Sequence, residues 1–332
     1  MTVTDPIETA RLLASIYGQR LERPIFYPQA VALSGRLRLA GLDRETPDPS
    51  AEIQRIVEPM IREPAKLVDT EYVTAQYGGL CWADELSDAT GDLRYAQLLV
   101  RVADEFALPV RDSQDWVAAP LDPDARVEDF FLAGMVLGRA YRIAREPRYL
   151  DIITGLLIGA DTQQPDGLWW HARSAPHYWG RGNAFAALGF AETLSYLPET
   201  DARREKLLER HLAHLQGLRA HQDASGMWRQ VIDHPESYLE HTATSMIGCA
   251  ITRGLRRGWL EDEWLAVAES AWRGAAERIG PAGQLEHTCV GTGPYPDLQS
   301  YLERPYEDGL DDRGGAMALW FAVELARLRA GV

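Results

Sequence analysis

The feature that most constrains this chain is a turn that recurs with a matching downstream segment. Gly167-Leu168-Trp169, Gly226-Met227-Trp228 and Gly283-Gln284-Leu285 are separated by 59 and then 57 residues. Each leads into a polar loop and then a segment crowded with small residues. Those segments begin at Gly182-Asn183-Ala184, His241-Thr242-Ala243-Thr244-Ser245 and Arg313-Gly314-Gly315-Ala316. Longer charged stretches, 202–221 and 261–279, lie between them, and Thr90-Gly91-Asp92 and Ala144-Arg145-Glu146-Pro147 read as equivalent breaks. Self-similarity of this kind marks one supersecondary unit used repeatedly.

That unit is helical. Apolar residues at helical spacing, as in Leu98, Val102 and Phe106 or Leu207, Leu208, His211 and Leu215, predict helices over 8–17, 51–62, 71–90, 93–106, 127–145, 148–160, 182–197, 202–221, 240–257, 261–279 and 313–330. No segment alternates convincingly as a strand. Small-residue helices can crowd an axis, whereas charged amphipathic ones face water on one side. An all-α, two-layer (α/α) toroid formed by residues 1–332 as a single domain satisfies both patterns. An open superhelix of helix pairs is the alternative. The toroid is favoured because it makes the polar loops before the inner helices converge at one end, where the active site is expected.

The formal net charge of −15 argues against nucleic acid or an anionic membrane as partner. A small acidic substrate stays open, because salt screens a global field within ~10 Å and a local Arg/His clamp can overrule it. Cys81, Cys249 and Cys289 are widely spaced and indicate neither a disulfide framework nor a zinc site. The first residues show no secretion signal and no apolar run reaches the length of a membrane span, so a cytoplasmic protein is expected.

The chemistry concentrates in Gly167 to His171 and Trp179-Gly180-Arg181-Gly182-Asn183. Here three indoles (Trp169, Trp170, Trp179), the His171 imidazole, the Arg181 guanidinium and the Asn183 carboxamide fall within seventeen positions at a helix entrance. Aromatic faces with a few charged donors suit a flat polar ring bearing an anion, the chemistry of a sugar acid. Each residue also has a plainer reading. The indoles can be core, His171 a hydrogen-bonded member of their cluster, and Arg181 the partner of Asp129 or Asp312. Asp129, with Glu128, stands at the entry of an apolar helix, where an acid commonly serves as a cap or first-turn charge worth ~1 kcal/mol. Glu240-His241 and Asp311-Asp312 read as helix starts, and nothing resembles a phosphate loop, a nucleophile elbow or a dinucleotide fingerprint.

From about Glu71 onward the chain resembles glycoside hydrolase family 105, the unsaturated rhamnogalacturonyl hydrolases, which are related to the unsaturated glucuronyl hydrolases. The resemblance rests on Glu128-Asp129-Phe130-Phe131-Leu132-Ala133-Gly134, on Gly167 to His171, on Trp179 to Asn183, on Gly226 to Val231, on Arg253 to Leu260 and on Gly291-Thr292-Gly293. It implies a six-hairpin (α/α)6 barrel, no metal or organic cofactor, and an oligosaccharide substrate ending in a 4,5-unsaturated uronate. Such enzymes hydrate the vinyl-ether double bond. By position, Asp129 matches the acid/base, while His171, Trp179 and Arg181 match the lining of the uronate subsite; Trp170 and Asn183 stand beside them. A second family aspartate is missing, since its counterpart reads Ala75-Gln76-Tyr77-Gly78-Gly79. Asp84, Glu85 or the Tyr77 hydroxyl are candidate substitutes. A conventional glycosidase or sugar isomerase on the same fold, or a non-catalytic carbohydrate-binding homologue, remain the alternatives, and oligomeric state is left open.

Overall fold

The computed structural model describes residues 5–63, 73–107 and 121–332. The first two residues of the helix expected over 71–90 lie outside them.

Helices alternate between an outer and an inner layer. In chain order they are α1 (Pro6–Ile16), α2 (Tyr27–Leu42), α3 (Ser50–Arg62), α4 (Val73–Tyr77), α5 (Ala83–Thr90), α6 (Leu93–Phe106) and α7 (Glu128–Ala144). They continue with α8 (Pro147–Gly159), α9 (Gly180–Tyr196), α10 (Arg204–Ala220), α11 (His241–Arg256), α12 (Leu265–Ala276), the short α13 (Leu298–Leu302) and α14 (Asp312–Ala330). The inner layer closes on itself. Helix α2 packs on α14, α14 on α11, α11 on α9, α9 on α7, α7 on α4 and the 3-10 turn Gly78–Leu80, and that turn on α2. Helices α1, α3, α6, α8, α10 and α12 pack outside. This is the (α/α)6 barrel.

The repeating turn has a physical cause. Gly167 and Gly226 both adopt φ of +89°, a left-handed conformation that favours glycine. A Cβ there would meet Ala213 O at 2.1 Å and Ser270 O at 2.0 Å. Each turn therefore lies directly on the backbone of the following outer helix, α10 or α12. Gln163 and Gln222, four residues before each glycine, brace it identically: their side-chain amides donate to Gly167 O at 3.2 Å and Gly226 O at 2.8 Å. Inner helices approach as closely. A Cβ on Gly189 of α9 would stand 2.5 Å from the Phe130 carbonyl carbon of α7.

Three expectations need correction. Helix α2 has no predicted counterpart; it is buried on nearly every side from Tyr27 to Arg36, so no amphipathic period marks it. The helix expected over 71–90 is broken at Gly78-Gly79, where a Cβ on Gly78 would sit 2.9 Å from Leu132 Cδ2. Short strands also exist. β1 (Trp228–Arg229) pairs with β2 (Leu239–Glu240), and β3 (Leu285–Cys289) with β4 (Tyr306–Gly309), both antiparallel, in the loops before α11 and α14. They are too brief for alternation to register.

Toward the C-terminal ends of the inner helices, ion pairs fill the axis. Glu192 of α9 receives Arg139 of α7 at 2.7 Å and Arg253 of α11. Asp84 lies 3.0 Å from Arg142 and 3.2 Å from Arg139, Glu85 2.7 Å from Arg38, Asp88 2.7 Å from Arg142, and Glu324 2.6 Å from Arg256. Asp84 and Glu85 thus belong to this end and do not substitute for a second acid beside Asp129.

Candidate active site

Helix α7 opens the site. Val127 takes its capping position, and the Val127 N–H donates to His171 O at 3.1 Å, tying the helix start to the tryptophan-rich loop. Asp129 is therefore a first-turn residue and not the cap. It is only 5% exposed. The Asp122 N–H donates to its Oδ2 at 2.7 Å, and the Thr74 hydroxyl bonds the same carboxyl. Burial dominates these bonds and, with the neighbouring Glu128 charge, pushes the pKa up to about 7. A carboxyl of this kind is protonated for part of the neutral range and can donate.

His171 links that acid to the aromatic wall. Its Nε2 lies 3.0 Å from Glu128 Oε1 and its Nδ1 2.6 Å from the Tyr301 hydroxyl. Burial opposes ionisation of Glu128, but the His171 ring holds its pKa below the ordinary value. The imidazole packs on Trp179 with centroids 4.4 Å apart, and the Arg181 guanidinium carbon lies 4.9 Å from the Trp179 ring centroid. A series of contacts thus runs from Glu128, the residue before Asp129, through His171 and Trp179 to Arg181. Arg181 is not paired with Asp129 or Asp312. It donates to Cys289 O and, at 2.7 Å, to Val290 O, with Glu240 Oε1 4.0 Å away. Trp179 Nε1 and Glu128 Oε2 have no hydrogen-bond partner among the described residues.

Other expected residues stand apart from this series. Asn183 is a clasp for the Gly167 turn: its Oδ1 accepts the Trp169 N–H at 2.9 Å and its Nδ2 donates to Trp169 O at 3.0 Å. Tyr77 packs on Phe106 with centroids 5.3 Å apart, and it is Thr74 that supplies a hydroxyl to Asp129. Trp170 is half-buried, its N–H donating to Thr162 O. Glu240 caps α11 through the Thr242 and Ala243 N–H groups and also accepts the Cys289 N–H at 2.9 Å. Asp311 caps α14.

Sequence reasoning missed Tyr27, Thr74 and Tyr301. Tyr27 starts α2 and packs edge-on to Phe185 at 5.7 Å. Burial pushes its phenol up to about 12, within the fields of Arg181, Arg313, Asp311 and Glu128. Proline following Tyr27 is a helix-start signal that could have revealed it.

The fold is a helical toroid with a protonatable carboxyl, and a contact series of imidazole, indole and guanidinium groups, at the starts of its inner helices. More specifically, the chain belongs to Glycosyl Hydrolase Family 88, whose sequence profile matches residues 16–329. It is 25% identical over 215 residues to the unsaturated rhamnogalacturonyl hydrolase YesR of Bacillus subtilis (strain 168), covering 62% of this chain and 60% of that relative's length. Its fold is similar to that of a family 105 glycoside hydrolase from C. acetobutylicum ATCC 824, with TM-score 0.81, 19% identity, and 98% and 99% of the two chains covered. A possible family 105 member from Klebsiella pneumoniae subsp. pneumoniae MGH 78578 gives TM-score 0.79, 23% identity, and 98% and 94% coverage.

Proposed function

We propose that this protein is a hydrolase that removes a 4,5-unsaturated uronic acid from the non-reducing end of oligosaccharides by hydrating the vinyl-ether double bond. The observation that carries this reading is Asp129, a buried carboxyl raised to about 7 at the start of α7, next in sequence to Glu128, whose contacts run through His171 and Trp179 to Arg181. Protonated Asp129 delivers its proton to C4, water adds its oxygen to C5, and the spare proton of that water restores the Asp129 carboxyl, completing a hemiketal. Ring opening turns C5 into a ketone and C1 into a hemiacetal. The hemiacetal then expels the remaining sugar as an alcohol, leaving an aldehyde, so one water is consumed overall.

The residues around the acid suit this chemistry. Trp179 is buried against His171 and Arg181 and fixes the positions of that imidazole and guanidinium. Arg181 and Tyr27 supply positive potential and a phenol near the place where the uronate carboxylate would lie.

Incubation with unsaturated disaccharides made by pectin and glycosaminoglycan lyases tests the reading. Loss of the ultraviolet absorbance of the conjugated alkene is the expected result. Saturated uronides turned over faster than unsaturated ones would favour a conventional glycosidase instead.

A further inference from the structure

The second mouth of the barrel, where the inner helices end, holds a cavity of about 530 Å³ that the proposed chemistry does not use. Asp129 and Arg142 sit near opposite ends of α7, thirteen residues apart in sequence, which places this mouth roughly 20 Å from the acid at 1.5 Å per helical residue. Five carboxylates border the cavity: Asp84, Glu85, Asp88, Glu192 and Glu324. Each is already engaged by one of the arginines Arg38, Arg139, Arg142, Arg253 and Arg256. These five guanidinium groups also sit where the carbonyl ends of the helices favour positive charge.

Two further lining residues, Arg257 and Arg327, are left over. Among the described residues, neither side chain makes a hydrogen bond or ion pair. Arg327 is half-buried, and burial with the Arg38 charge outweighs the opposing fields of Glu324 and Glu85 and pulls it down to about 10; Arg257 is exposed at the rim, and partial desolvation with Arg256 and Arg253 lowers it. Arg253 is paired with Glu192, but its buried Nη2 has no hydrogen-bond partner among the described residues and is a spare donor beside them. In a chain of net charge −15, this is a local concentration of unneutralised cation lining a space of small-molecule size.

We propose that this distal cavity binds a small molecule carrying a doubly charged oxyanion of the phosphate or sulfate type, held by Arg257 and Arg327. The planar guanidinium fork matches the oxygens of such a group and supplies paired N–H donors. A dianion would neutralise both spare charges together, and a monocarboxylate only one of them. The site is separate from the uronate subsite and stands whether or not that subsite hydrates an alkene.

Inorganic phosphate and inorganic sulfate are the probes, each against sodium chloride of matched ionic strength, with thermal midpoint as the readout. A ligand that binds only the folded state raises that midpoint once its concentration passes Kd, and the rise continues with the logarithm of concentration. The expected result is a rise above the chloride control with at least one dianion, unchanged in Asp129→Asn. In the double variant Arg257→Gln with Arg327→Gln, the concentration at which the rise sets in should move at least about tenfold higher. Phosphate acting where sulfate does not identifies a phosphate ester, and the converse a sulfate ester. Titration calorimetry on the unaltered protein covers the case in which the double variant fails to fold. Absence of saturable binding of either dianion to the unaltered protein overturns the proposal, as does equal binding by a folded double variant.

Discussion

The Asp122 backbone N–H reaches Asp129 Oδ2 across 2.7 Å, yet the Asp129 carboxyl remains easier to protonate than an ordinary aspartate. One hydrogen bond to the charged form does not offset the loss of water around it. Between pH 3.8 and about 7 the folded protein holds a proton that the unfolded chain releases. The stability this proton contributes is full below pH 3.8 and is lost as the pH rises to about 7, by up to roughly 4 kcal/mol. Asp129→Asn keeps the shape and an acceptor for the Asp122 N–H without the charge. Urea denaturation should find the variant more stable than the parent at pH 8 and no more stable at pH 4. In the parent, kcat/KM should decline above about pH 7 as the acid ionises.

Tyr301→Phe should act through His171. It removes the partner 2.6 Å from His171 Nδ1 and leaves a buried ring nitrogen unsatisfied, at a cost of about 1–3 kcal/mol. The imidazole then loses one of its two restraints beside Trp179. We expect kcat/KM to fall by about tenfold, with a lowered thermal midpoint; steady-state kinetics and a melting curve on one preparation check both.

Glu192→Ala should be among the most damaging single changes. Burial opposes ionisation of Glu192, but Arg253 and Arg139 hold its pKa well below the usual carboxylate range. Its contribution is therefore present above about pH 4.5 and disappears as the pH falls further. Removing the carboxylate leaves two buried guanidinium groups without it, a loss of about 3–5 kcal/mol. Glu192→Gln, which retains hydrogen-bonding atoms, should cost less, and chemical denaturation at pH 7 ranks the two.

Gly189→Ala tests how tightly the inner ring is drawn. The added methyl would meet Phe130 backbone atoms 2.5–2.6 Å away, and backbone cannot swing aside as a side chain can. Helices α7 and α9 would have to separate, moving Asp129 relative to Arg181. A loss of about 1–3 kcal/mol in stability is expected, together with a fall in kcat/KM larger than for a surface substitution.

The toroid is legible in the sequence because its repeat rests on backbone geometry that few residues permit: the glycines at 167 and 226 must take positive φ against the next helix. Asp129 and the His171, Trp179 and Arg181 group are legible for a related reason, since they cluster at helix starts that the repeat brings to one end. Helix α2 is hidden because burial on all sides erases amphipathic contrast. Asn183 passes for a ligand contact because a carboxamide that clasps a turn and one that binds sugar look alike in sequence. Thr74 carries no signal at all. Its approach to Asp129 depends on how the broken inner segment packs on α7, which no local pattern encodes.

Proton delivery from Asp129 to the substrate alkene is the claim on which the functional account turns. It is measured most directly by running the reaction in deuterated water on a 4,5-unsaturated uronyl disaccharide, following alkene absorbance and then the uronate-derived keto product by NMR. The account requires the parent protein to consume the alkene and place one deuterium at C4, and Asp129→Asn, folded by circular dichroism, to be slower by about 10²–10⁴-fold. A folded Asp129→Asn protein that consumes the alkene at the parent's rate would contradict it.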